Sequence, residues 1–226
     1  MNLQIILDFL RELEENNQRE WYHDNKAWYR DANREFEALI AELMEELRRK
    51  DPAIPVVKPN ELTFKQNRDT RFSHDKSPYL PAFRAHIGPK GKLPIPVGYY
   101  LHIRPGDRSF LGGGLFADMF RDATTMVRDH IASHGDEWQA LISDPGFTTH
   151  FSVGGTALKN IPRGYAPEHP QGEYLKHKSW YLEVPLSDEQ LLEKGFFDKA
   201  VAIFEAMQPF NAFLNQALAE FEMPTR

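Results

Sequence analysis

One segment decides the fold class of this chain, Val97-Gly98-Tyr99-Tyr100-Leu101-His102-Ile103-Arg104-Pro105-Gly106-Asp107-Arg108-Ser109-Phe110-Leu111. It contains two stretches rich in β-forming residues, 97–104 and 109–111, on either side of a Pro-Gly-Asp-Arg sequence that is typical of a turn. The segment therefore predicts a β-hairpin. Three further short strands are predicted at Leu62 to Lys65, Phe147 to Val153 and Trp180 to Val184.

Apolar residues at helical spacing surround this hairpin. They predict a short helix at Leu3 to Glu15 and a long one from about Asn25 to Lys50, which Pro52 stops. Because helices and strands do not alternate regularly, we expect an α+β fold with a mainly antiparallel sheet packed with helices. Further helices are predicted from about Phe116 to Ile131, from Glu137 to Ser143, after a capping box at Ser187 to Gln190, and from Val201 to Phe221 with a bend near Pro209.

Composition limits the class of protein. The 226 residues contain no Ser/Gly-rich, Pro-rich or like-charge linker, which favours a single domain over residues 1–226. The chain has no cysteine, so disulfides and thiolate chemistry are excluded and any metal would need His and carboxylate ligands; no metal site is assigned. No apolar run approaches the roughly 20 residues that span a bilayer, and no signal peptide is recognisable. We therefore expect a cytoplasmic protein without a membrane partner.

The charge is unevenly distributed along the chain. The formal net charge is -6, but residues 58–114 contain ten Lys and Arg against four Asp and Glu, which leaves -12 for the remainder. Such segregation predicts a basic surface or cleft on an acidic protein, which would steer an anionic ligand to one place. The alternative is that these charges scatter over the fold and pair with acidic helices, and the sequence favours neither.

The segment Phe64 to Tyr79 is the first of three basic segments and has no hydrophobic periodicity. Arg68 and Arg71 could grip an oxyanion bidentately, and Lys76 could add a mobile charge. The segment also contains two carboxylates, which either orient the arginines through ion pairs, the preferred interpretation, or provide a general base. These acid–base candidates are Asp69 and Asp75.

The other two basic segments lie further along the chain. Gly154 to Tyr165 contributes Lys159 and Arg163, and Lys176 to Trp180 contributes Lys178 together with His177, a third acid–base candidate. Each combines cations with Gly, Pro or aromatic residues, a composition that surface loops do not usually require. We therefore expect the three basic segments to meet in one cleft.

Glycines and tyrosines complete the predicted site. Gly112-Gly113-Gly114 is placed between a predicted strand and a predicted helix, where the amides of Gly113 and Gly114 could receive a phosphate. The run has neither the Walker A nor the dinucleotide-binding spacing, and a tight turn with positive φ explains it at least as well. Tyr79 or Tyr100 could stack on a ring attached to the anion.

Six motifs are distributed over nearly the whole chain. They are Asn16-Asn17-x-Arg19-Glu20-Trp21, Arg68-Asp69-Thr70-Arg71-Phe72-Ser73-x-Asp75-Lys76-Ser77-Pro78-Tyr79, Tyr99-Tyr100-Leu101-His102-Ile103, Gly112-Gly113-Gly114, Leu158-Lys159-x-x-Pro162-Arg163-Gly164 and Leu175-Lys176-x-Lys178. Together they resemble the domain of unknown function 2461 family. The resemblance implies a single-domain protein of mostly bacterial and fungal distribution, and supplies no reaction, substrate or cofactor.

The leading functional hypothesis is a protein that binds a small anionic, phosphate-bearing ligand in a basic cleft, with or without turnover. A second hypothesis is a nucleic-acid or partner-binding module that uses the same cations, with Phe64, Phe72 and Tyr79 stacking on bases. A third is a buried ion-pair network that fixes a loop and binds nothing. The ligand-binding residues of the leading hypothesis are Arg68, Arg71, Lys76, Tyr79, Tyr100, Gly113, Gly114, Lys159, Arg163 and Lys178.

Overall fold

The structure, a computed structural model, describes residues 1–116 and 118–224. It confirms the α+β class, with one antiparallel four-stranded sheet and helices that account for about 47% of the chain. The strands are β1 (Phe83–Ile87), β2 (Tyr99–Ile103), β3 (Ser109–Leu115) and β4 (Trp180–Leu186). The helices are α1 (Leu3–Glu15), α2 (Arg19–Asp24), α3 (Lys26–Lys50), α4 (Pro59–Leu62), α5 (Arg121–Ser133), α6 (Gly135–Ser143), α7 (Pro145–Thr148), α8 (Gly172–Leu175), α9 (Asp188–Leu192) and α10 (Phe196–Ala217).

The sheet has the strand order β1-β2-β3-β4, so β1 and β4 form its two edges. The predicted hairpin is confirmed as β2 and β3, and its turn places Gly106 and Asp107 at positive φ. The edge strand β1 was not predicted, although Phe83, Ala85 and Ile87 alternate with polar residues there. This strand pairs with β2 and forms the sheet edge that directly follows residues 62–82 in the chain.

The two faces of the sheet differ in what covers them. One face packs against α10, because Tyr99 contacts Phe204 and a Cβ on Gly113 would lie 3.0 Å from the Met207 sulfur. Side chains alternate along each strand, so the neighbouring positions point to the opposite face. That opposite face carries Arg84 and His86 on β1, Tyr100 and His102 on β2, and Phe110 on β3.

Three strand predictions need correction. Gly112-Gly113-Gly114 lies inside β3, where it pairs with β4, and does not link a strand to a helix. The close approach of α10 leaves little room for a side chain at Gly113. Residues 147–153 do not form a strand, since Asp144 accepts hydrogen bonds from the amides of Gly146 and Phe147 and begins α7. Residues 62–65 contribute only an isolated bridge between Thr63 and Ala85.

The helix predictions are mostly confirmed. Helices α1 and α3 match their predicted ranges, and Ser187 and Gln190 form the predicted capping box of α9. Helix α5 begins at Arg121 rather than near Phe116, and α10 begins at Phe196 and continues through Pro209. Among residues 1–116 and 118–224, no helix combines the length and apolar character that crossing a lipid bilayer requires.

Candidate functional site

The first basic segment, Phe64 to Tyr79, is internally cross-linked. Arg68 donates hydrogen bonds to the carboxylate of Asp75 and, at 3.3 Å, to the carbonyl of Ser77. Arg71 donates to Asp69 from Nε at 3.0 Å and from Nη2 at 2.6 Å. Lys76 donates from Nζ to the carbonyl of Thr70 at 2.9 Å. Each cation that was expected to hold a ligand therefore has a partner within the segment.

The two carboxylates of this segment are stabilised as anions. The Ser77 hydroxyl, the Ser77 amide and Arg68 hold the pKa of Asp75 well below its usual range. Hydrogen bonds from Arg71 lower the pKa of Asp69. A carboxylate with a lowered pKa is a weak general base near neutral pH. The geometry thus favours the ion-pairing interpretation of Asp69 and Asp75, while their role in acid–base chemistry stays a prediction.

Tyr79 and Gly113 are engaged by the protein and, within the described residues, do not face a cavity. Tyr79 is only 7% exposed, its ring stacks on Tyr22 with centroids 4.0 Å apart, and Asn17 hydrogen-bonds both its amide and its carbonyl. Gly113 lies between Tyr99 of β2 and Leu182 of β4, and Gly114 pairs with Tyr181 of β4. Amides in a strand flanked by two neighbours serve the sheet. The geometry therefore disfavours an anion contact at Tyr79 and Gly113, and the ligand-binding roles of Tyr79, Gly113 and Gly114 stay predictions.

The second and third basic segments form one loop at the edge of the sheet. Gly154 exchanges backbone hydrogen bonds with Tyr181 of β4 at 2.8 and 3.1 Å, and Ala157 bridges to His177. Residues 159–176 of this loop line an open cavity of about 660 Å³. We call it the basic cavity. Its lining includes Lys159, Asn160, Ile161, Pro162, Arg163, Tyr165, Pro167, His169, Pro170, Gly172, Glu173 and Lys176.

The charges of the basic cavity are only partly compensated. Glu173 accepts a hydrogen bond from Lys176 at 2.6 Å, and the Tyr165 hydroxyl donates to Asp129 at 2.7 Å. Among residues 1–116 and 118–224, no carboxylate lies within ion-pair distance of Lys159 or Arg163. Both side chains therefore keep their charge available to an incoming anion.

Lys178 and His177 lie next to the basic cavity without lining it. Lys178 pairs with Asp118 at 3.4 Å. The His177 carbonyl accepts two hydrogen bonds from Arg128, and its half-buried ring has an Nδ1 atom without a hydrogen-bond partner. Burial lowers the pKa of His177, which favours the neutral imidazole. Its role as an acid–base group stays a prediction.

The structure attaches the basic segments to opposite edges of the sheet. Phe64 donates a backbone hydrogen bond to Arg84 of β1, whereas Gly154 pairs with Tyr181 of β4. Three strand spacings of about 4.8 Å separate these edges by roughly 14 Å. Within the described residues, no hydrogen bond or ion pair joins segment 64–79 to segment 154–178. Lys159 and Arg163 are thus brought together, and Arg68, Arg71 and Lys76 lie elsewhere.

A second cavity, of about 300 Å³, lies on the sheet face opposite α10. We call it the aromatic cavity. Sequence reasoning named Phe64, Tyr100 and Gly114 from its lining but did not group them. The cavity becomes visible only once β1 is recognised and its outward positions are placed beside those of β2. Its lining consists of Phe64, His86, Lys92, Pro94, Tyr100, Phe110, Gly114 and Phe116.

The fold and the two cavities define an α+β protein with one antiparallel sheet and separate basic and aromatic cavities. The chain belongs to the family described as Conserved hypothetical protein (DUF2461), whose model matches residues 5–213. The family resemblance of its motifs is thereby confirmed. No curated protein and no solved structure shows a significant match to the chain. Within residues 1–116 and 118–224, no group of three or more His, Asp or Glu side chains is arranged to hold a metal ion.

Proposed function

We propose that this protein binds a small anionic, phosphate-bearing molecule in the basic cavity. The observation that carries the proposal is that Lys159, Arg163 and Lys176 line one cavity in which Glu173, the one carboxylate of its described lining, is engaged by Lys176. Arg and Lys side chains without a fixed acidic partner form strong charge-assisted hydrogen bonds with phosphate oxygens. A volume of about 660 Å³ suits a molecule of nucleotide or sugar-phosphate size.

The charge of the whole chain supports a local site. With a net charge of -6, the protein surface repels anions on average. A cluster of cations on such a protein concentrates the potential at one place and steers an anionic ligand there. The same net charge disfavours an extended nucleic-acid interface, so the nucleic-acid or partner-binding alternative stays a prediction without a structural observation of its own.

In this proposal, segment 64–79 does not bind the ligand. To hold a ligand, Arg68 and Arg71 would first have to give up hydrogen bonds to Asp75 and Asp69. That exchange costs free energy which Lys159 and Arg163 do not incur. We therefore assign segment 64–79 the role of a cross-linked loop.

Thermal shifts test the proposal. We expect inorganic phosphate, nucleoside monophosphates or sugar phosphates to raise the Tm of the wild type and of an Arg71→Ala variant, but not of a Lys159→Ala/Arg163→Ala variant. A ligand at 100 times its Kd stabilises the folded state by about 2.7 kcal/mol, which is a shift of several degrees. Loss of the shift in Arg71→Ala, or an unchanged shift in the double variant, contradicts the proposal. An affinity that rises steadily with oligonucleotide length and falls steeply with salt would favour the nucleic-acid alternative.

A further inference from the structure

The aromatic cavity lies on the sheet face that carries Tyr100 and Phe110. Tyr100 lies at its centre, with ring centroids 5.8 Å from Phe110, 5.9 Å from Phe116 and 6.2 Å from Phe64. Gly112 leaves space for this arrangement, because a Cβ there would lie 3.0 Å from Phe116. The result is a recess with aromatic walls, which favours a flat ring through offset and edge-to-face contacts.

Phe116 closes one side of this recess from a position near the surface. Its ring stacks on Tyr181 of β4, with centroids 4.6 Å apart, and the residue is 39% exposed. An exposed aromatic residue at the mouth of a cavity is a wall that a ligand can cover. Covering it would remove apolar surface from water and so favour binding.

The charged groups beside the recess are cationic. The Arg84 guanidinium lies over the Phe64 ring at 5.4 Å and donates to the Lys65 carbonyl at 3.2 Å, while its buried Nε has no partner. Lys92 lines the cavity and donates to the Thr63 carbonyl at 3.4 Å. In the described part of the chain, neither cation has a carboxylate within ion-pair distance, and no carboxylate lines the cavity. The recess is therefore complementary to a negative charge.

The pKa values of two neighbouring groups are shifted mainly by burial. Burial raises the pKa of the Tyr100 hydroxyl, and the positive charge of Arg84 partly counters that rise. Burial also lowers the pKa of His86 to about 4, so this lining imidazole is neutral at physiological pH. Arg84 and Lys92 then supply the positive charge around the aromatic cavity.

We propose that the aromatic cavity binds a flat aromatic or heteroaromatic molecule that carries one carboxylate or similar anionic group. The ring lies against Tyr100, Phe110 and Phe116, and the anionic group is held by Arg84 and Lys92. A cavity of about 300 Å³ is at the small end of ligand sites, which suits one or two fused rings. This proposal is independent of the basic cavity, because the two cavities share no lining residue.

Three matched probes test this proposal by calorimetry or ligand-observed NMR. They are 2-naphthoate, its neutral amide 2-naphthamide, and cyclohexanecarboxylate, which keeps the charge and loses the aromatic ring. We expect saturable binding of 2-naphthoate that is at least tenfold tighter than that of either other probe. Equal affinity for the amide, or no binding of 2-naphthoate at millimolar concentration, overturns the proposal.

Variants locate the bound probe. Arg84→Gln and Phe116→Ala should each weaken 2-naphthoate binding about tenfold. Arg71→Gln, which removes an exposed cation from segment 64–79, should leave it unchanged. Lys92→Gln gives the same charge test at an exposed position if Arg84→Gln fails to fold. Binding that survives both Arg84→Gln and Lys92→Gln overturns the proposal. Binding that is lost in Lys159→Ala/Arg163→Ala instead would place the probe in the basic cavity, and also overturns it.

Discussion

The two basic regions of this molecule look alike in sequence and differ in structure. In segment 64–79, Asp69 lies two residues before Arg71 and Asp75 lies seven after Arg68, and both pairs close within the segment. In segment 154–178, Lys159 and Arg163 have no Asp or Glu between residues 154 and 167. The spacing of carboxylates relative to cations thus distinguishes two kinds of loop. In one, the cations form ion pairs within the loop, and in the other they remain available to bind a ligand.

The largest effect on stability should follow from truncating Tyr79, the buried last residue of segment 64–79. Tyr79→Ala should lower the free energy of unfolding by about 3 kcal/mol or more, because it deletes a buried ring that stacks on Tyr22. Phe72→Ala is the matched control, since Phe72 is 96% exposed and its loss should change stability by less than about 0.5 kcal/mol. Chemical denaturation measures both. Equal, small effects would mean that Tyr79 is free to meet a ligand, and the contrast between the two regions would fail.

The pH dependence of folding stability tests a residue of the aromatic cavity, His86, and neither of the basic regions. Folding lowers the pKa of His86 from 6.5 to about 4, so the unfolded state binds its proton first as the pH falls. The stability that this histidine contributes is complete above pH 6.5 and is lost as the pH falls towards 4, by roughly 3 kcal/mol. The free energy of unfolding, measured by denaturation between pH 7 and pH 4, should therefore depend less steeply on pH for His86→Gln than for the wild type. The same slope in both proteins would contradict the burial of a neutral imidazole.

A smaller effect, on susceptibility to proteolysis, distinguishes Arg68 from Arg71 in segment 64–79. The Arg68 side chain is 26% exposed and donates hydrogen bonds to Asp75 and to the Ser77 carbonyl, whereas the Arg71 side chain is 77% exposed and pairs with its near neighbour Asp69. Arg68→Ala should make proteolytic cleavage within residues 68–77 several-fold faster, and Arg71→Ala should change it little. Limited proteolysis followed by mass spectrometry gives the rates. Equal acceleration in both variants would show that Arg68 does not cross-link the loop.

Local sequence predicted the elements whose signals are local. Helices α1 and α3 follow from apolar periodicity, and the β2–β3 hairpin follows from its turn residues. The inward Phe83, Ala85 and Ile87 of β1 carried the period-two signal, which the basic composition of the region obscured. The course of β3 through Gly112-Gly113-Gly114 depends on how closely α10 packs, and no local pattern reports that.

The candidate site was predictable to a similar extent. The grouping of Lys159 with Arg163 follows from their closeness in the chain. The neutralisation of Arg68 and Arg71 depends on how their loop closes, and their separation from Lys159 depends on which sheet edge each loop joins. The aromatic cavity needs three strands in register, so sequence reasoning named Phe64, Tyr100 and Gly114 in separate roles and did not predict the cavity.

The most direct test of the central claim labels lysines with an anionic reagent. Pyridoxal 5′-phosphate carries a phosphate and an aldehyde that forms a reducible imine with nearby amines, and peptide mapping after borohydride reduction locates it. We predict labelling of Lys159 or Lys176 that inorganic phosphate suppresses, while any labelling of Lys76 is unaffected by phosphate. Labelling of Lys92 would report the aromatic cavity, whose proposed flat anionic ligand this reagent resembles. Protection of Lys76 instead, or equal behaviour of Lys76 and Lys159, would contradict the assignment of phosphate binding to the basic cavity.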